Sequence, residues 1–193
     1  TRIQEIAENA LMKMMTGNEA EHGCAIVLEV KTGKVKAIAN LGRRPDGTYW
    51  EDFNYAMTPT EPGSTFKLAT ILSVLEDKKY TLENRVNLQG GTWTINGNTV
   101  YDAEKHGLGE VTVKVAFEES SNVGMAKLAY SSYAKTPSQY INHLKRLGFD
   151  SLTGIDLYGE RAPLMYKPGN KYWSATTLPW MAFGYNIAIT PMH

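Results

Sequence analysis

A serine and a lysine lie three residues apart where a turn leads into an apolar segment. The stretch EPGSTFKLATILSVLED (61–77) places Ser64 and Lys67 directly after Pro62-Gly63. A serine hydroxyl needs a neighbouring base to become a good nucleophile, and lysine is a base only when it is neutral. Burial disfavours the ammonium form and would lower the pKa of Lys67. The pair therefore predicts either acyl-transfer chemistry or a helix cap followed by a solvated lysine.

The Ser-x-x-Lys spacing does not by itself decide between these two interpretations. A second match, Ser132-Tyr133-Ala134-Lys135, lies at the end of a predicted helix in a polar setting, and we assign no chemistry to it. A helix that starts near Ser64 would offer unpaired N–H groups and the positive end of its dipole to an oxyanion. The choice therefore depends on the elements around the pair.

The composition is that of an ordinary globular protein. The chain has 193 residues, of which 42% are hydrophobic and 21% charged, and its 20 basic and 20 acidic side chains give a formal net charge of zero. A balanced charge offers no positive field to nucleic acid or to an acidic membrane surface. The single cysteine, Cys24, excludes an intrachain disulfide and a cysteine-based zinc site. The histidines are scattered, so we expect no metal and no cofactor.

A helix and a β-hairpin are predicted before the serine segment. Apolar residues recur at helical spacing over 3–15, and the Gly-Asn pair that follows is expected to end this helix. Residues 24–30 and 35–41 predict two antiparallel strands joined by a Lys-Thr-Gly-Lys turn. Residues 42–63 are expected to form a surface loop.

The remainder of the chain is predicted to be mainly helical. Residues 65–77 are apolar nearly all round and predict a buried central helix. Further helices are predicted over 111–120, 122–134 and 137–147, a loop-rich insert with a TWTING hairpin over 87–98, and a turn with an apolar segment over 178–190. The predicted class is α+β (α/β type), a helical region with a partial antiparallel sheet.

The sequence resembles the transpeptidase domain of penicillin-binding proteins. Glu61–Lys67 with its apolar helix is similar to the active-serine segment of that family, and Ser120-Ser121-Asn122 is similar to its Ser-x-Asn motif. The Ser-Ser-Asn form and the closing FGYNIAITP are most similar to the class B branch, especially its division-specific septal members. The likeness extends to GCAIVLEVKTGKVKAIAN and LGFDSLTGIDLYGE, and so to most of the chain.

This resemblance implies a peptidoglycan D,D-transpeptidase that cross-links stem peptides through a serine acyl-enzyme and is acylated by β-lactams. By the resemblance, Ser64 is the nucleophile and Lys67 the base for acylation. Ser120 would relay a proton to the leaving group, and the Asn122 amide would bind the substrate backbone and hold Lys67. The implied partners are stem peptides, β-lactam antibiotics and other wall-synthesis or divisome proteins, with no nucleic acid. The implied location is the extracytoplasmic (periplasmic) face of the bacterial cytoplasmic membrane, with an anchor outside this chain.

The third motif of the family, a Lys-Thr-Gly strand after Ser-x-Asn, has no match in that position. Lys31-Thr32-Gly33 lies in the hairpin turn, Lys105-His106-Gly107 comes too early, and Lys167-Pro168-Gly169 is typical of a turn. We therefore expect an incomplete serine β-lactamase/transpeptidase-like fold that comprises the N-terminal two-thirds of one domain. The third motif is expected beyond His193, and the fragment is expected to have little activity in isolation. Its predicted parts are 1–41, a helix with a hairpin, 64–150, the mainly helical active-serine region, and 151–193, the start of the C-terminal part.

Two other functions stay open at this point. A scaffold or binding module of wall assembly could keep the fold and lose catalysis, and the complete gene would then lack Lys-Thr-Gly. A β-lactamase or β-lactam sensor of the same superfamily would carry a different second motif or a deacylating base, and Asn122 disfavours the class D type.

A loop with Tyr49, Trp50, Phe53 and Tyr55 could line a groove for the stem peptide or pack on its own side chains.

Overall fold

The computed structural model describes residues 1–104 and 106–193, so Lys105, the first residue of the Lys-His-Gly triplet, lies outside the described residues. The chain divides into two units. One comprises Thr1–Thr60, Leu152–Ala162 and Ile189–His193, and the other Glu61–Ser151 and Pro163–Ala188. Each combines helices with small antiparallel sheets, which confirms the predicted α+β class. The predicted division into three consecutive parts stays a prediction. No helix within the described ranges is long and apolar enough to cross a bilayer.

The first unit is a helix packed on a three-stranded sheet. Its elements are α1 (Arg2–Asn18), β1 (His22–Leu28), β2 (Val35–Arg43) and β3 (Tyr49–Trp50), in the antiparallel order β1-β2-β3, followed by a 3₁₀ turn (Tyr55–Met57). Ala7, Leu11 and Met15 recur every four residues along α1 and meet Ala37 and Ala39, which alternate along β2. The core of this unit is therefore the apolar face of α1 set on β2.

Two details of this unit differ from the sequence prediction. The helix α1 includes the Gly-Asn pair and ends at Asn18, and the left-handed backbone of the cap residue Glu19 lets the Ala20 N–H donate to the Met15 carbonyl at 3.1 Å. The predicted loop over 42–63 contains β3, because Tyr49 and Trp50 pair with the end of β2. The loop aromatics pack locally: Tyr49 Oη donates to the Met15 carbonyl at 2.9 Å, and the rings of Phe53 and Tyr55 lie 5.2 Å apart.

The second unit is mainly helical, and its described residues form three two-stranded antiparallel sheets. Its elements are α2 (Lys67–Glu76), β4 (Arg85–Asn87), β5 (Thr92–Ile95), β6 (Asn98–Tyr101), β7 (Glu110–Thr112), α3 (Val113–Glu118), α4 (Asn122–Tyr133), α5 (Pro137–Arg146), β8 (Leu164–Met165), α6 (Thr177–Met181) and β9 (Ile187–Ala188). The sheets pair β4 with β7, β5 with β6 and β8 with β9. The predicted TWTING hairpin is confirmed, and its Asn96-Gly97 turn has both residues at positive φ.

Helix α4 is the centre of this unit. Val123, Met125, Leu128 and Tyr133 are fully buried on it, and α2, α3, α5 and α6 surround it. The predicted helix over 111–120 is wrong at its start, because residues 110–112 form β7 and α3 begins only at Val113. Val111 lies opposite Val86 in that sheet, a β-branched pair that suits a strand.

The predicted central helix is shorter and more exposed than its composition suggests. A 3₁₀ turn (Gly63–Phe66) precedes α2, which therefore begins at Lys67. Ile71 and Val74 are buried, whereas Leu68 and Leu72 are 52% and 45% exposed. The helix thus has one buried and one open apolar face, although its sequence shows little difference between them.

A buried threonine ties α2 to its neighbours. Thr70 Oγ1 donates to the carbonyl of Ala182 at 2.8 Å and lies 2.7 Å from Tyr140 Oη on α5. Because the threonine proton is used by Ala182, the tyrosine is the donor in the second bond. This chain of hydrogen bonds fixes α2, and with it the turn that carries Ser64, against α5 and the end of α6.

Candidate active site

Ser64 lies inside the 3₁₀ turn rather than at a helix cap. Pro62 and Phe66 occupy the cap positions of this turn and of α2, and no described side chain caps either element, so the capping interpretation of Ser64 is wrong. Phe66 anchors the turn in the core, where it is 3% exposed and its ring lies 5.2 Å from that of Phe149. The hydroxyl of Ser64 is therefore available to another group.

A close approach of two backbones holds the start of the turn. The Gly63 N–H donates to the Gly184 carbonyl at 3.1 Å. Gly184 has φ 90, and a Cβ at this position would lie 2.0 Å from the Gly63 oxygen. Only glycine fits there, because a side chain would collide with backbone that cannot rotate away.

Lys67 is buried and points at two serines. Its side chain is 1% exposed, and Nζ lies 3.0 Å from Ser64 Oγ and 3.0 Å from Ser120 Oγ, and also donates to the Ser120 carbonyl. The ammonium thus has an acceptor for each of its three protons. The alternative of a solvated lysine is wrong.

Burial sets the protonation of this lysine. The loss of hydration lowers the pKa of Lys67 to about 8, and the negative charge of Asp102 acts in the opposite direction. An amine with this pKa is partly neutral near neutral pH and can take a proton from a neighbouring hydroxyl. The geometry and the protonation state therefore both suit a nucleophile-base pair.

The Ser-Ser-Asn segment joins α3 to α4 through a strained residue. Ser120 has φ 51, a left-handed conformation that is uncommon outside glycine and asparagine. Ser121 caps α4, and its Oγ accepts from Gly124 N at 2.8 Å. Asn122 is the first residue of α4, and its Nδ2 donates to the Tyr101 carbonyl at 2.8 Å.

The structure brings three of the four predicted site residues into contact. Ser64, Lys67 and Ser120 share the hydrogen bonds of Lys67 Nζ. Asn122 follows two residues after Ser120, but in the part of the chain that the structure describes its amide contacts Tyr101 rather than Lys67. The carbonyl and hydroxyl of Ser120 therefore hold Lys67 where the amide of Asn122 was expected to do so.

A buried aspartate behind the site was missed by the sequence reasoning. The Asp102 side chain is 3% exposed and accepts from Ser121 Oγ at 2.9 Å, from Val123 N at 2.9 Å and from His106 Nε2 at 2.7 Å. His106 Nδ1 accepts from Leu108 N at 3.0 Å, so the imidazole proton lies on Nε2 and points to the carboxylate. Asp102 precedes the Ser-Ser-Asn segment by almost twenty positions, and no motif or periodicity marks it.

The other candidate motifs are structural. Lys31-Thr32-Gly33 forms the hairpin turn, where the Gly33 N–H donates to Glu29 O at 2.8 Å. Lys167-Pro168-Gly169 forms a turn closed by Asn170 N and Lys167 O at 3.0 Å, as predicted. Within the described ranges, Ser132 Oγ is buried with no hydrogen-bond partner, and so with no base beside it. Over residues 1–104 and 106–193, no group of three or more His, Cys, Asp or Glu is arranged to hold a metal.

Comparison with known proteins shows the family. The family described as "Penicillin binding protein transpeptidase domain" matches residues 23–193, and the chain belongs to it. This confirms the resemblance read from the two motifs.

Named relatives and solved structures agree with this assignment. The chain is 32% identical to peptidoglycan D,D-transpeptidase FtsI of Escherichia coli, in a match that covers 99% of this chain and 32% of that protein. It is 29% identical to penicillin-binding protein PbpB of Mycobacterium tuberculosis, in a match that covers 97% of this chain and 28% of that protein. It therefore spans about a third of these relatives. Penicillin binding protein 3 of Mycobacterium tuberculosis, complexed with ampicillin, superposes with a TM-score of 0.84 at 29% identity, covering 99% of this chain and 42% of that one. A peptidoglycan glycosyltransferase from Burkholderia ambifaria superposes with a TM-score of 0.80 at 27% identity, covering 98% and 55%. The fold is that of the transpeptidase domains.

Proposed function

We propose that this chain carries the acyl-enzyme serine of a peptidoglycan D,D-transpeptidase. The observation that supports the proposal most directly is the 3.0 Å contact between Lys67 Nζ and Ser64 Oγ, formed by a buried lysine whose pKa is lowered to about 8. A serine next to a lysine with this pKa has the base that attack on a carbonyl requires.

In the proposed reaction the neutral amine of Lys67 takes the proton of Ser64 as Oγ attacks the penultimate D-alanine carbonyl of a stem peptide. The new C–O bond forms, the C–N bond to the terminal D-alanine breaks, and a proton passes to the leaving amine. We assign this relay to Ser120, and the assignment is supported by its hydroxyl, which lies 3.0 Å from Lys67 Nζ and can accept from the lysine while donating onward. An amine of a second stem peptide then attacks the acyl-enzyme and releases Ser64.

Asn122 is proposed to bind the substrate backbone. Its Nδ2 is used by the Tyr101 carbonyl, which fixes the amide plane and leaves Oδ1 as an acceptor for a peptide N–H. The expected role of Asn122 in holding Lys67 passes to Ser120 in this proposal.

The relatives support acylation by β-lactams and a role in wall synthesis. FtsI is named a peptidoglycan D,D-transpeptidase, and the structure of penicillin binding protein 3 from Mycobacterium tuberculosis contains ampicillin. We extend both to this chain, with stem peptides and β-lactams as ligands and wall-synthesis or divisome proteins as partners. The proposed location is the extracytoplasmic face of the cytoplasmic membrane.

Acylation by a fluorescent penicillin tests the proposal. The intact protein that contains this chain is incubated with the reagent, digested, and analysed by mass spectrometry for the modified peptide. We expect the adduct on the peptide that carries Ser64, no adduct in Ser64→Ala, and normal labelling in Ser132→Ala, the matched serine without a base. A wild-type protein that stays unlabelled, or is labelled elsewhere, contradicts the assignment. Rapid loss of the adduct would indicate a β-lactamase instead.

A further inference from the structure

We propose that Asp102 is a positioning residue of this site, which holds the Ser120–Ser121 junction in place. The inference rests on the proposed function, since it concerns how the same serine and lysine are held. Asp102 itself touches neither Ser64 nor the reacting atoms.

The first observation is the set of donors around the carboxylate. Asp102 Oδ1 accepts from Val123 N at 2.9 Å, and Oδ2 accepts from Ser121 Oγ at 2.9 Å. Ser121 caps α4 and Val123 lies in its first turn, where unpaired N–H groups and the helix dipole favour a negative charge. Since Ser121 Oγ also accepts from Gly124 N, the capping serine is held from both sides.

The second observation is the strain next to this anchor. Ser120 has φ 51, and a non-glycine residue keeps this conformation only when its surroundings fix it. The Ser120 N–H donates to the carbonyl of Phe117 at 3.0 Å. The Ser121 N–H donates to the carbonyl of Ala116, also on α3, at 2.9 Å. Asp102 holds the other side of the junction through the side chain of Ser121. In this conformation both oxygens of Ser120 face Lys67 Nζ.

His106 completes the environment of the carboxylate. Its Nε2 donates to Asp102 Oδ2 at 2.7 Å, and the Leu108 N–H fixes the tautomer from the other side of the ring. The buried carboxylate thus accepts hydrogen bonds from a backbone N–H, a hydroxyl and an imidazole N–H.

The third observation is the charge that acts on Lys67. Among the described residues, Asp102 is the charged group that affects it, and this carboxylate raises the pKa of the lysine against the stronger effect of burial. The groups in direct contact with Lys67, the hydroxyls of Ser64 and Ser120, are neutral, and the imidazole of His106 contacts Asp102 rather than the lysine. Removal of the Asp102 charge should therefore shift the titration of Lys67 to lower pH.

The main experiment measures the second-order rate constant of acylation by a fluorescent penicillin as a function of pH in the intact protein. In Asp102→Asn we expect a lower plateau, because the Ser120–Ser121 junction loses its anchor, and a midpoint shifted to lower pH, because the carboxylate raises the pKa of Lys67. The matched control is Asp77→Asn at the far end of α2, a carboxylate that likewise accepts from a histidine, His143, and a hydroxyl, Tyr133. This control should keep the wild-type midpoint.

A second pair of variants separates positioning from charge, and decides the matter if Asp102→Asn does not fold. Ser121→Ala removes the hydroxyl that Asp102 holds and keeps the carboxylate, so the plateau should fall by about tenfold without a change of midpoint. Ser121→Thr, which keeps the hydroxyl, should restore most of the rate. Ser132→Ala, at the other end of α4, should acylate as the wild type does.

Each outcome bears on the proposal separately from the proposed function. If wild-type Ser64 is not acylated, the proposed function fails and the role of Asp102 with it. If Ser64 is acylated and folded Asp102→Asn keeps the wild-type plateau, the positioning role of Asp102 is refuted while the function stands. Wild-type acylation in Ser121→Ala refutes the positioning role in the same way.

Discussion

The rate of acylation of Ser64 should level off at moderately alkaline pH, because its base is a lysine with a pKa of about 8. With that value, about one tenth of Lys67 is neutral at about pH 7 and about nine tenths at about pH 9, so the rate constant should rise about tenfold over this range and then level off. With the ordinary lysine value of 10.5, the same range would give about a hundredfold rise and no plateau. The shape of the curve thus reports the burial of Lys67.

The assay is the second-order rate constant for a fluorescent penicillin, which reflects the ionisation of the free protein. Lys127→Met serves as the control, because burial also lowers the pKa of Lys127 but its Nζ contacts Asn87 O rather than a serine of the site. It should keep the wild-type curve. A rate that still climbs steeply at about pH 10 would show that Lys67 is not the desolvated base described above.

Two further substitutions test the elements that hold the site. Gly184→Ala should lower the rate of acylation at least about tenfold, because the new Cβ collides with Gly63 and displaces the serine turn. The control Gly169→Ala, at φ 87 in open surroundings, should lose only about 1 kcal/mol of stability and no activity. Thr70→Val should lower the free energy of unfolding by about 1–3 kcal/mol in denaturant titrations, because it leaves Tyr140 Oη without its acceptor, while Thr70→Ser should stay close to the wild type.

Local signals were enough to predict several elements of the fold. The repeat of apolar residues in α1, the Lys-Thr-Gly-Lys turn between β1 and β2, and the Asn-Gly turn between β5 and β6 act over a few residues and are visible in the sequence. Pairs such as β4 with β7 are not, because two strands of three residues form only where distant parts of the chain are brought together. The open face of α2 was missed for a similar reason, since Leu68 and Ile71 are both apolar and packing alone distinguishes them.

The site residues that belong to short sequence motifs could be predicted, and the one outside such motifs could not. Ser64, Lys67 and Ser120 were found because two short patterns occur in order, and the structure brings them into contact. Asp102 had no such pattern. Its partners come from two segments of the chain, a hydroxyl and a backbone N–H from Ser121 and Val123 and an imidazole from His106, and any acidic residue after a hairpin has the same local sequence appearance.

The three hydrogen bonds of Lys67 Nζ limit how protons can be distributed between the lysine and the two serines. The ammonium has three N–H bonds and three acceptors, whereas the neutral amine has two N–H bonds and one lone pair. The Ser120 carbonyl can only accept, so it always retains one of the N–H bonds. The lone pair of the neutral amine must then face one of two hydroxyls, that of Ser64 or that of Ser120. In the first arrangement the amine can accept the proton of Ser64, and in the second it can accept that of Ser120. The position of one proton on Nζ therefore determines which serine the amine can deprotonate.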